Sequence, residues 1–108
     1  MAILIHLPKL PAAAMALFPF ILVKEAGYKN DSILINHELI HHRQQLELLI
    51  VPFYIMYFLN YAFNLLKYRN HHQAYSHILF EKEAYAKEHD LSYLGTRKPF
   101  AWYSFFKS

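Results

Sequence analysis

The stretch INHELIHHRQQLELL, Ile35–Leu49, decides how this chain is read. On an α-helix, residues four apart leave the same face, one turn apart. His37 and His41 therefore present two imidazoles together, with Glu38 beside them. Such a pair can hold one Zn2+ while the carboxylate works on a water, provided the segment is helical. The flanks meet that condition. AGYKND is a turn that offers Asn30 and Asp31 as N-caps, and a helical pattern follows from Ser32 to about Ile50. Pro52 then ends or kinks it, because proline lacks a backbone donor and crowds the preceding turn. The bland alternative is a helix that matches only because the chain holds eight histidines in 108 residues.

That length makes a single domain over residues 1–108. There is no cysteine, so disulfides and thiolate metal sites are excluded, and a metal would rest on His, Glu or Asp. Hydrophobic residues make up 56% of the chain and aromatics 18%, both high for a small soluble protein. The net charge of +3 comes without a dense Lys/Arg run or basic residues interleaved with aromatics, which argues against nucleic acid. A membrane surface or an apolar partner fits better.

Two uncharged stretches bear on location. Leu10–Val23 carries Pro11 and Pro19, is too short to span a bilayer, and lacks the basic flank of a signal peptide. A cytoplasmic or membrane-associated protein, compatible with a reducing compartment, is the expectation. Leu48–Leu66 runs nineteen residues without a charge, but Pro52, Asn60, Asn64 and three tyrosines argue against a span. It reads as a helix buried in the protein that touches lipid, its stripe of Phe53, Tyr54, Tyr57, Phe58 and Tyr61 being core or lipid contact.

The fold class expected is α+β and mostly helical: three to four helices after a small N-terminal β-element. AILIHL (2–7) and LFPFILVK (17–24) are short and β-capable, though Pro8, Pro11 and Pro19 break them up into edge-type strands or extended segments. Helices are expected at about 32–50, 52–67 and 72–90, with KYRNHH a polar corner and LSYLGTRKP the last stop.

A catalytic zinc usually takes three protein ligands, so two histidines need a third partner. The segment HILFEKEAYAKEHD offers Glu81 and Glu83, which point about 200° apart around a helix. In gluzincin-type zinc peptidases, which this segment resembles, a small residue three positions after the ligand glutamate lets two helices approach closely; Ala84 has that spacing from Glu81, so the resemblance favours Glu81 over Glu83. By themselves, these glutamates would read as a solvated face with Lys82 and Lys87.

HELIH, then RQQLELL, then AYSHILFEKEAYAKE resembles the minimal gluzincins, zinc metallopeptidase domains similar to the catalytic cores of integral-membrane peptidases. The likeness covers about residues 15–95. It implies a zincin-like minimal core, with a small sheet from the LFPFILVK region ahead of the first active-site helix. It also implies zinc on His37, His41 and Glu81, with Glu38 as general base and acid. Tyr85 departs from the pattern: larger membrane relatives carry there an acidic residue that helps hold a ligand histidine.

The reaction so implied is hydrolysis of a peptide or protein substrate by a metal-bound water, with Glu38 taking the proton. A donor for the developing oxyanion is also needed. His77, four residues before Glu81, is favoured; Tyr75, His71 and His72 are the alternatives. His42 reads as a partly exposed helix residue, and Arg43, Gln44 and Gln45 as braces for neighbouring segments. The apolar tail KPFAWYSFFKS could fold over the metal and leave the enzyme latent. A non-catalytic helical protein stapled by its metal is the main rival. A carboxylate-bridged di-iron bundle is weaker, since it needs two E-x-x-H helices and the chain has one.

Overall fold

The computed structural model describes residues 2–106. Three strands, β1 (Ile3–His6), β2 (Ala14–Leu17) and β3 (Phe20–Val23), form one sheet with β3 in the middle. β1 pairs parallel with β3, and β2 pairs antiparallel. The two β-capable segments thus become β1 and β3, but β3 is the central strand and not an edge, since Pro19 stands just before its paired residues. β2, from the plain sequence AMAL, becomes a strand because β3 offers it a partner. Ile21 and Val23 of the central strand are fully buried.

A 3-10 turn at Ala26–Asn30 leads into α1 (Ser32–Glu47), whose start is fixed by Asp31 accepting the Leu34 N–H at 3.1 Å. α2 (Val51–Tyr68) leaves α1 at 113°. Pro52 stands in the first turn of α2, where its missing N–H costs nothing. Proline therefore begins the second helix. Among the described residues no single helix is long and apolar enough to cross a membrane.

The expected third helix over 72–90 is two helices, α3 (His71–Ser76) and α4 (Leu79–Lys87). Tertiary contacts break it. Ile78 is fully buried in an extended conformation, and the Leu79 N–H is taken by Asn60 of α2 at 2.8 Å. A single turn, α5 (Tyr93–Thr96), and a 3-10 turn at Ala101–Phe105 complete the chain.

Phe53, Ile78, Phe80 and Trp102 form the main apolar cluster, with Trp102 packed edge-on against Phe80 at 5.3 Å. The described part of the tail therefore lies against α4, fastened also by the Phe100 N–H on Glu47 at 2.7 Å. The expectation that it covers the metal is not met.

Candidate metal centre

α1 and α4 pack side by side, and Ala84, fully buried, stands on the α4 face that meets α1. Asn36 ties the two together: its amide donates to the carbonyls of Lys87, Glu88 and Asp90 at the end of α4. One residue on, His37 Nε2 lies 3.0 Å from Glu81 Oε1, and His41 Nε2 lies 3.1 Å from the same oxygen. The three ligand atoms all fall within 4.8 Å of one another, and all three residues are buried. Tetrahedral zinc with bonds of about 2.0–2.1 Å separates its ligand atoms by a little over 3 Å. The spacing suits such an ion.

The hydrogen bonds behind the triad make the stronger argument. A neutral imidazole donates from one nitrogen and accepts at the other. His37 Nδ1 faces the Glu88 carboxylate at 2.8 Å, and His41 Nδ1 faces Gln44 Oε1 at 2.7 Å. The Gln44 amide nitrogen is committed to the Phe80 carbonyl and Glu83, which fixes its oxygen toward His41. Both Nδ1 atoms therefore donate, and both Nε2 lone pairs point at the Glu81 carboxylate. Three acceptors converge on one point, which needs a cation or protons to hold it together. Burial opposes charge on His41, yet the Glu81 carboxylate, Glu38 and the Gln44 bond push its pKa up to about 9. Burial would raise Glu81 as well, but His41 and His37 hold it well below the usual carboxylate range. A His-His-Glu group that can hold a metal ion is what α1 and α4 build.

The acid that faces His37 is Glu88. It comes from one turn further along the chain than Tyr85, which packs edge-on against the His37 ring at 4.5 Å. Tyr57, expected from its stripe as core or lipid contact, donates its hydroxyl to Glu81 Oε2 at 2.5 Å. Sequence spacing gave no sign of that contact, since Tyr57 lies on α2, twenty-four residues away. Glu83, the rival ligand, belongs to a different group. It accepts from Arg97 at 2.5 and 3.0 Å, from Tyr93 at 2.6 Å and from Gln44 at 2.9 Å, while Arg97 also grips Glu47.

Glu38 lines a cleft of about 390 Å³ beside the triad, shared with Ala12–Ala14, His37, Tyr75, Tyr85 and Glu88. Burial pushes the Glu38 carboxyl up, against the pull of His41 and His37. No described residue of the tail lines this cleft. His77 does not line it either. The break before α4 removes it from the Glu81 face; it caps α3, bonded to the Gln73 carbonyl at 2.8 Å and stacked on Tyr68. Of the alternatives, Tyr75 is the one that reaches the cleft, half-buried with its hydroxyl 3.1 Å from that of Tyr85. His71 sits outside it, against Tyr61.

His42 is buried, not partly exposed: it reaches the Phe20 carbonyl at 2.8 Å and ties α1 to the sheet. Gln45 does brace its neighbours, accepting the Phe18 N–H and donating to the Ala16 carbonyl. Among the described residues no second cluster of this kind exists, which leaves the di-iron reading without its other half.

The chain matches no family profile, no curated protein and no solved structure.

Proposed function

We propose that this chain is a zinc-dependent peptidase of minimal gluzincin type, with His37, His41 and Glu81 holding the metal. The observation that carries the reading is the placing of Glu38: a carboxylate in an open cleft, directly beside the triad. A metal that only joined α1 to α4 would have no use for it. When bound, zinc supplies a Lewis acid that makes water nucleophilic near neutral pH and polarises a carbonyl. Glu38 takes the proton from the attacking water and passes it to the leaving amine. The raised pKa brings Glu38 nearer to neutrality, where such a base works best.

A peptide substrate is favoured by the other wall of the cleft. The Ala13 carbonyl accepts from Lys24 N–H, so the alternation of an antiparallel pair turns the N–H and C=O of Ala14 outward. Further along β2 the outward carbonyl of Ala16 is covered by Gln45 and Tyr54. The edge is thus open where it borders the cleft and closed beyond it. An extended peptide can pair with that open stretch. Tyr75 is the donor we assign to the oxyanion: burial and the Glu81 carboxylate raise its pKa, so the hydroxyl keeps its proton.

The second reading is a metal staple without catalysis, favoured by the burial of all three ligands. One variant separates the two. Glu38→Gln is expected to bind zinc as the parent does and to lose about 10²–10⁴-fold or more of the cleavage of a quenched-fluorescent peptide library. No cleavage by the zinc-loaded parent would leave the staple, and cleavage unchanged in the variant would remove Glu38 from the reaction.

A further inference from the structure

The two sides of α2 are the reverse of a water-soluble helix. Its polar side chains face the protein. Tyr54 bonds the Ala16 carbonyl, Tyr57 bonds Glu81, Asn60 accepts the Leu79 N–H, and Asn64 donates to the Ala74 carbonyl. Its outward side carries Val51, Ile55, Phe58, Leu59, Phe63 and Leu66, each more than half exposed. At about 100° per residue these six span nearly half the circumference, and no polar side chain interrupts them. An amphipathic helix of a soluble domain places its apolar stripe on the core and its polar face outward. Contiguous apolar surface of this kind is rarely left in water by a monomer.

What covers it must be apolar over the whole half-cylinder. Protein–protein interfaces are mixed, with polar groups at the rim and hydrogen bonds across them. Hydrocarbon asks for none. Charge points the same way. From residue 48 to residue 80 there is no Asp or Glu, while Lys67 and Arg69 are exposed at the end of α2. The helix does not qualify as a span, and its inward hydrogen bonds keep one side on the protein. It fits a helix lying in the plane of an interface, apolar side in the acyl boundary and cations among anionic headgroups.

We propose that α2 is a membrane-surface anchor whose outward half beds into an anionic bilayer, parallel to its plane. The inference goes beyond the peptidase reading and stands without it.

The test is flotation of the full chain with vesicles of phosphatidylcholine and phosphatidylglycerol at 7:3, and with phosphatidylcholine alone. The chain is expected to float with the mixed vesicles and several-fold less with the neutral ones. Phe58→Glu with Phe63→Glu should lower partitioning about tenfold or more, with circular dichroism unchanged because both side chains lie outside the core. Since the chain has no cysteine, Leu59→Cys carrying an environment-sensitive fluorophore gives a second readout, a blue shift on adding mixed vesicles. Three results would overturn the proposal: no flotation with either vesicle and no blue shift; a charged variant that floats as well as the parent; or a stable dimer that ignores vesicles and becomes monomeric in the variant. The last would make the face a contact between copies.

Discussion

α1 with α4, and the outer side of α2, break the same rule in opposite directions. On α1 and α4, Asn36, His37, Glu38, His41, His42, Gln44, Gln45, Glu81 and Glu83 are all buried. On α2, large aliphatic and aromatic side chains are exposed. Buried polar groups are tolerated only where each finds a partner, and the first region meets that demand through paired side chains and a converging His-His-Glu group. The exposed apolar side has no such internal remedy. The difference teaches that one region is complete once a cation is supplied, whereas the other is complete only against an external surface.

The sharpest way to break this contrast is at the buried ion pairs. Arg97, with a 2% exposed side chain, lies between Glu83 and Glu47. Arg97→Ala leaves both buried carboxylates without their cation and should cost about 3–5 kcal/mol in urea unfolding. The same pair sets an acid limit. Burial would raise Glu83, but Arg97, Tyr93 and Gln44 hold its pKa below the ordinary 4.5. Its contribution is therefore present above that value and lost as pH falls below it, visible as a falling unfolding midpoint in acid.

Metal linkage comes next in size. Zinc at a hundredfold excess over its Kd should stabilise the parent by about 2.7 kcal/mol, and a chelator should reverse this. Thermal melts of Glu81→Ala with and without zinc should coincide. If they separate as the parent's do, the converging acceptors are not the metal site.

Smaller effects test the residues behind the ligands. Glu88→Gln and Tyr57→Phe each remove one partner of the triad and should weaken zinc binding by about 10–100-fold in chelator competition. The outer side of α2 should show the least. Phe63→Ser is expected to change folding stability by no more than about 0.5 kcal/mol, because the ring touches no core. A large loss there would mean that the exposed face already has a partner within the chain.

Much of the site was legible in the chain because it rests on local periodicity. Four-residue spacing puts His37 and His41 together on any helix, and a small Ala84 next to Glu81 marks the face of close approach. Asp31 as the start of α1 follows from the same local chemistry. The residues that complete the site were not legible. Glu88 and Tyr57 act through contacts whose sequence separations follow no helical period, and Gln44, though one turn from His41, is oriented by Phe80 and Glu83 on another helix. His77 fails for the same reason: only the bond from Leu79 N–H to Asn60 reveals that its helix stops before Glu81 begins.

The chain by itself determined the helical class, the imidazole pair and the carboxylate of Glu38 between them. Each depends on backbone geometry that repeats every few residues. Only the tertiary structure decided which acid holds His37, which of Glu81 and Glu83 meets the imidazoles, that the described part of the tail stays off the cleft, and that α2 turns its polar groups inward. Those outcomes depend on distant segments competing for the same hydrogen bonds and the same apolar surface, and no local period encodes that competition.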